Sequence, residues 1–277
     1  MAVRWREKIA PPKDGEPTTH QRILVPAERS QPWAGALVDL SFPPTCPSCC
    51  ISYRPEEGAR IPLCPECSGD LRLVTKPFCR VCGEPYGGDL DEEFRCTNCR
   101  DLDFAFDFAV AKYRSIGPAR DLIHRLKYQS EKHLRLPLAL MMLAGLHDER
   151  VGHPEEAVFV PVPMHPRRLR KRGFNQAYEI ARTAATWIEV PVVNCLRRTA
   201  KTIQQAHLGR DARLENLEGV FGFRRFGADK FRSQIAGRTV IIVDDVLTTG
   251  ATAHHVARVL RENAEPDRVI VATSTRA

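Results

Sequence analysis

Hydrophobic and polar positions change their rhythm twice along this chain. Residues 1–32 mix Pro, Lys, Glu, Thr and Gln around Pro11-Pro12 with no apolar period, and read as a disordered arm. Trp33, Leu37, Val38 and Leu40 fit one side of a short helix that Pro43-Pro44 stops. Residues 46–99 carry little sustained apolar pattern, as expected of a fold held by metal in place of a core. From residue 103 the texture is that of a globular α/β domain running to 277, so 33–102 forms a separate small module before it.

Within the last segment, Phe104 to Tyr113 has strand content, and Pro118–Lys127 and Leu134–Leu146 have helical spacing. Ala157–Val162 and Arg238–Val243 are apolar runs of strand length, and Arg268–Thr273 is a closing strand. Gln176–Trp187 and Ala253–Asn263 read as the helices between them. Strands alternating with helices argue a doubly wound parallel sheet, whose ligand site lies at the C-terminal strand ends.

Cysteine usage explains the unpatterned front. Eight of the ten cysteines form Cys-x-x-Cys pairs: Cys46/Cys49, Cys64/Cys67, Cys79/Cys82 and Cys96/Cys99. Each pair is a knuckle whose thiolates can meet one tetrahedral ion, so eight ligands imply two structural zinc sites. The spacing favours consecutive sites, 46/49/64/67 and 79/82/96/99, with interleaved pairing as the alternative. Cys50 stands where a glycine commonly follows such a knuckle, as Gly83 follows Cys82, and can substitute for a neighbouring ligand. A further alternative is that one half has lost its metal and is held by packing. Cys195 stands alone and reads as a core thiol.

The net charge of +7 and pI near 9.0 attract polyanions, phosphate-rich ligands and nucleic acids first among them. No apolar run reaches membrane-span length and no secretory signal core opens the chain, so a cytoplasmic location is expected.

The sharpest chemistry lies in Val240-Ile241-Ile242-Val243-Asp244-Asp245-Val246-Leu247-Thr248-Thr249-Gly250-Ala251-Thr252. A buried strand places two carboxylates at the cleft, where they can accept hydrogen bonds from vicinal ribose hydroxyls. The turn after them presents amides and hydroxyls to a phosphate, and the following helix points its positive end at the anion. A plain strand, turn and helix with an acidic tip is the competing reading. Val160–Gln176 adds five cationic side chains at 167–172, among them Arg168 and Arg172, suited to a departing pyrophosphate, to a solvated basic loop or to nucleic acid. The polar, cationic stretch through Arg198, Lys201, Gln205 and Arg213 reads as a mobile lid. The histidines, His165, His254 and His255 included, read as surface or satisfied groups, and no dinucleotide loop competes.

The 240–252 segment resembles the 5-phosphoribosyl-1-pyrophosphate (PRPP) motif of type I phosphoribosyltransferases at every position. That resemblance implies that Asp244 and Asp245 hold the ribose hydroxyls and that Thr248, Thr249, Gly250, Ala251 and Thr252, with Val246 beside them, frame the 5-phosphate. Together with Pro161…Gly173-Phe174-Asn175-Gln176, the Gln205…Phe221 segment and the cysteine module, the chain resembles the ComF family of competence-associated, phosphoribosyltransferase-like proteins. The resemblance implies a type I phosphoribosyltransferase fold behind a double zinc ribbon. It also implies PRPP as ligand, Mg²⁺ accompanying it, and transfer of phosphoribosyl to a nucleophile with loss of pyrophosphate. The alternative it carries is a DNA-uptake factor that holds single-stranded DNA or meets competence machinery, with PRPP as a ligand; Phe174 is the one stacking aromatic near the basic run. The motif encodes no acceptor, and the sequence sets no oligomeric state.

Overall fold

A computed structural model describes residues 44–54, 61–88, 94–100, 102–199, 217 and 219–277. The expected arm at 1–32, the short helix at 33–42 and most of the expected lid lie outside the described residues. At the centre is β6 (Thr239–Leu247), a nine-residue strand whose β-branched run suits burial on both faces. It pairs in parallel with β7 (Arg268–Arg276) on one side and β3 (Val158–Pro161) on the other. β1 (Phe108–Val110) and β2 (Tyr113–Arg114) both lie parallel to β7, completing a five-stranded sheet in the order β1-β7-β6-β3 with β2 beside β7.

Alternation along β6 divides the interior into two cores. Ile241 and Val243 face a layer formed by α3 (Gly117–Tyr128), α4 (Arg135–Gly145) and α6 (Gln176–Ile188), through Leu122, Leu138 and Ile180. Val240 and Ile242 face α8 (Ala251–Ala264) through Val256 and Leu260. The same layer holds α7 (Ala228–Ile235) and the antiparallel pair of β4 (Leu196–Arg198) with β5 (Phe221–Phe223). Burying each Val or Ile side chain is worth roughly 1.5–3 kcal/mol, so the doubly covered sheet anchors the domain. Cys195 is fully buried beside β4, as a core thiol should be.

The cysteine module, which holds the short helices α1 (Pro65–Gly69) and α2 (Thr97–Arg100), is built into these cores. Ile61, Leu63 and Leu71 bury with α3 and α4, whereas Val81 and Phe106 bury with α8 on the opposite face. Between the two halves the chain follows the outer sheet edge: Val74 N–H donates to Lys112 O (2.8 Å), Arg114 N–H to Arg72 O (2.7 Å) and Ala109 N–H to Val81 O (2.8 Å). An exposed parallel edge invites pairing with other chains, and this segment blocks it. The expectation of a metal-held module without a core is therefore corrected: its apolar residues are few, and they complete the cores of the sheet domain.

Two element boundaries differ from expectation with consequences for the site. β6 runs on through the two acids to Leu247, because Asp244 and Val246 still pair with Thr273 and Thr275 of β7. The basic run is not a loop but a short helix, α5 (Pro166–Arg172), started by Pro166 and by His165, whose Nδ1 accepts the Arg167 N–H (3.1 Å).

Candidate functional site

Extending β6 past Val243 carries its alternation into the acids, so Asp244 and Asp245 leave the strand on opposite faces. Asp245 is 3 % exposed and turns toward α3, where Lys127 Nζ lies 2.5 Å from Oδ2. Its other oxygen accepts the Val246 N–H (3.0 Å), and Asp244 accepts the Asp245 N–H (2.9 Å). Asp244 is partly buried on the β4 face, and burial, reinforced by the charge of Asp245, pushes its carboxyl up to about 8 against the pull of Lys127.

Cations ring this pair. Arg172, half-buried at the end of α5, has its guanidinium pKa drawn below the usual value by burial; the field of Asp245 favours its charge and Arg168 opposes it. Its Nη1 donates to Gln176 Oε1 (2.7 Å), and its guanidinium lies 5.7 Å from the Tyr128 ring centre. Arg198 on β4 is likewise lowered by burial and by Arg168, with Asp244 opposing. Lys127, Arg168, Arg172 and Arg198 thus lie around the two acids, a local excess of positive charge beside partly desolvated groups. Such an excess suits a ligand with several anionic groups.

The turn after β6 is shaped for close approach. Gly250 has φ +79°, and a Cβ there would sit 3.2 Å from the Phe104 ring, so this position needs glycine twice over. Gly250 starts the 14-residue α8 and, as a glycine, offers that N-terminus no side-chain cap. Thr249 Oγ1 accepts the Ala251 N–H at 3.5 Å, the long limit of a hydrogen bond. The positive end of a helix met so weakly suits an anion, with Thr248 exposed and Thr249 and Thr252 partly so.

Of the residues singled out from sequence, Asp244, Asp245, Arg168, Arg172, Arg198 and the turn are brought together, while Lys201, Gln205 and Arg213 lie outside the described residues. Lys127 was not foreseen: a cation in the last turn of an amphipathic helix is common, and nothing local marks its reach to Asp245. Also unforeseen was the wall behind the turn, where Phe104 and Phe106 stack (4.7 Å) and the Ala105 N–H donates to His254 Nδ1 (3.1 Å). Gly173-Phe174-Asn175-Gln176 gains a physical account. Gly173 closes α5 with φ +82°, Phe174 is buried, Asn175 caps α6 and ties to Val162 O (2.9 Å), and Gln176 holds Arg172.

The cysteines form two groups, Cys46/Cys49/Cys64/Cys67 and Cys79/Cys82/Cys96/Cys99, each with its sulfurs within 4.8 Å of one another. Thiolates about 2.3 Å from a tetrahedral zinc lie about 3.8 Å apart. The Cys49–Cys64 and Cys82–Cys96 separations of 3.7 and 3.6 Å fit that ion. Backbone N–H groups of Cys64 and Cys96 donate to Cys46 and Cys79 Sγ (3.4 and 3.3 Å), stabilising thiolate charge. The pairing is consecutive, not interleaved.

Comparison with known proteins agrees with both halves. The double zinc ribbon domain pattern matches residues 37–100 and the phosphoribosyl transferase domain pattern residues 171–277. Competence protein F of Haemophilus influenzae is 28% identical over 213 residues, 72% of this chain and 90% of that protein. DNA utilization protein YhgH of Escherichia coli K12 is 29% identical over 204 residues, 73% of this chain and 85% of that protein. Competence protein ComFC of Bacillus subtilis is 25% identical over 210 residues, 73% and 79% of the two chains. The chain is thus similar over most of its length to competence-associated proteins that pair the same two parts.

One departure from the usual ribbon is Cys50, which belongs to neither four-sulfur group. Its φ is +62° and its N–H donates to Cys46 O (2.8 Å), matching Gly83, with φ +67° and an N–H bound to Cys79 O (2.8 Å). The knuckle needs a left-handed residue here, which glycine adopts without steric cost. Cys50→Gly is expected to raise the stability of the zinc-loaded protein by up to about 1 kcal/mol in chemical denaturation. Two zincs per chain should be retained, and a fall in zinc content would mean that Cys50 serves as a ligand after all.

Proposed function

We propose that this chain is a ComF-family protein that binds PRPP at the C-terminal end of β6 and transfers its phosphoribosyl group to a nucleophile with release of pyrophosphate. The observation that carries the reading is the gathering of Asp244 and Asp245, the turn at Gly250 and the cations Lys127, Arg168, Arg172 and Arg198 at one end of β6. In this reading the turn takes the 5-phosphate, the acids accept the ribose hydroxyls and the arginines take the pyrophosphate.

In the reaction the bond from ribose C1 to the pyrophosphate oxygen breaks, pyrophosphate leaves with the electron pair, and the nucleophile bonds to C1 and loses its proton. Arg168 and Arg172 stabilise the charge that grows on the leaving oxygen, and the carboxylates steady the positive character on the ribose ring. Positioning supplies much of the rest, since no side chain has to form a covalent intermediate. The hard oxygens of Asp244 and Asp245 are of the type Mg²⁺ prefers, directly or through water, and Mg²⁺ carried in with PRPP adds neutralisation at the pyrophosphate.

Calorimetric titration with Mg²⁺ and PRPP tests the site, and pyrophosphate release across a panel of bases, amines and nucleotides tests the reaction. Binding is expected to release protons, since burial pushes the Asp244 carboxyl up to about 8 and its ionised form accepts the stronger, charge-assisted hydrogen bonds from ribose hydroxyls. Affinity should therefore rise with pH up to about 8 and level off above it. An affinity indifferent to pH between 6 and 8 would count against this role for Asp244.

A second reading rests on the names of relatives, one called a competence protein and another a DNA utilization protein. The exposed cations Arg167, Arg170 and Lys171 on α5 and the net charge of +7 give it a physical footing as a nucleic-acid surface beside the PRPP cleft. Oligonucleotide affinity across a salt series separates the readings. A steep salt slope supports a DNA surface, and no binding near physiological ionic strength removes it.

A further inference from the structure

The end of β7 holds a side chain that the proposed chemistry leaves unused. Arg276 is 4 % exposed, although an arginine is seldom buried without a task for its donors. Its Nε donates to Cys82 O (3.0 Å), its Nη1 to Leu247 O (3.1 Å), and its Nη2 to Cys82 Sγ (3.7 Å) and to the Glu84 carboxylate. Cys82 belongs to the second four-sulfur group. Leu247 is the last residue of β6, directly before Thr248, and sits in register with Arg276 itself. One guanidinium therefore spans the second zinc knuckle and the root of the turn.

A second connection runs independently of it. Soon after Cys99 the chain enters Phe104-Ala105-Phe106, whose rings pack on Gly250 and whose Ala105 amide binds His254 in the first turns of α8. The other end of that segment is pinned too, because Arg261 of α8 donates to Ala105 O (2.6 Å) and pairs with Asp107 (3.1 Å). The turn is thus held from below by the exit of the second ribbon and at its root by Arg276. Among the described residues the first ribbon shows no direct bond to the turn: its knuckle carbonyls Pro47 and Ser48 are held by Arg125 of α3, which also pairs with Glu131.

We propose that Arg276 is a positioning residue that ties the phosphate-binding turn to the second zinc site, so that metal at 79/82/96/99 and ligand at the turn stabilise each other while metal at 46/49/64/67 does not take part. The proposal rests on the reading of the turn as the PRPP 5-phosphate cradle. A five-donor planar fork is what the geometry requires, since only such a group reaches a carbonyl on β6, a carbonyl on the knuckle and a sulfur together. Coupling of this kind is reciprocal.

The test uses zinc-loaded protein with two zincs per chain confirmed beforehand. Arg276→Lys, which keeps the charge but not the fork, and Arg276→Met are compared with Arg125→Met, which removes the matching anchor at the first ribbon. PRPP affinity by calorimetry is expected to fall tenfold or more in both Arg276 variants and to stay within twofold in Arg125→Met. Zinc release to a chromogenic chelator is the second readout. Saturating PRPP should slow the release of one of the two zincs severalfold in the parent, and this protection should vanish in Arg276→Lys even if Arg276→Met fails to fold. Parent-like affinity and parent-like protection in Arg276→Lys overturn the proposal. If the parent binds no PRPP, the reading of the turn has failed instead, and the tether is judged on zinc alone: release from Arg276→Lys no faster than from the parent overturns it.

Discussion

Stripping zinc from this protein is expected to lower its melting temperature by well over 10 °C and to make it aggregate, not merely to loosen an appended module. Structural zinc in small ribbons supplies about 10–16 kcal/mol per site at neutral pH, several times the net stability of a typical domain. Here the two sites also organise Ile61, Leu63 and Leu71 against α3 and α4, and Val81 and Phe106 against α8, so their loss opens both cores. The strip at 72–81 that covers β1 and β2 goes with them, leaving an unprotected parallel edge. Scanning calorimetry with and without a tight chelator, alongside zinc stoichiometry, measures the effect. Cys79→Ser should reproduce most of it, whereas Cys50→Ser should leave zinc content at two per chain. A chelated protein that melts within a few degrees of the loaded one would mean that packing, not metal, holds the front of the chain.

The parts of this fold that were legible in the sequence share a physical property: their signal is local. The run Val240–Val243 announces a strand buried on both faces, and Thr248–Thr252 with its glycine announces an amide turn. Paired cysteines announce knuckles for a similar reason, since two ligands three residues apart can meet one ion without help from the rest of the chain. What the sequence hid is long-range. Lys127 and Asp245 are 118 positions apart, and Arg276 reaches Cys82 across 194, so only the parallel order of the strands brings them together. Burial of the ribbons was hidden for the same reason: Leu63 and Val81 look like isolated apolar residues until the sheet faces that receive them exist. The acids were placed at the strand's end because apolar patterning stops at Val243, yet pairing with β7 depends on backbone groups and continues to Leu247.

Replacing the two acids separately should weaken PRPP binding in both cases while moving stability in opposite directions. Each carboxylate in this reading accepts charge-assisted hydrogen bonds worth about 1.5–3 kcal/mol, so Asp244→Asn or Asp245→Asn should weaken PRPP by about tenfold to a hundredfold in calorimetry. For stability the two differ in what faces them. Asp244 has its carboxyl pushed up to about 8, while a carboxyl in the unfolded chain titrates near 4. Between those values the unfolded chain has released a proton that the folded chain keeps, so stability is full below about pH 4, falls as pH rises, and levels off above about pH 8. Asp244→Asn removes that slope. Partial exposure of Asp244 trims the full linkage value of about 5 kcal/mol, and a gain of about 2 kcal/mol at pH 8 is expected. Asp245→Asn instead strips a buried partner from Lys127 and should cost about 1 kcal/mol or more, recoverable in part by Lys127→Met in the same chain. Stabilisation by one substitution and destabilisation by its neighbour, with equal loss of ligand, is the signature of a site that holds one carboxyl under strain for binding. Equal destabilisation by both, measured in denaturant at pH 8, would show Asp244 to be an ordinary structural acid and would remove the carboxylate pair from the proposed chemistry.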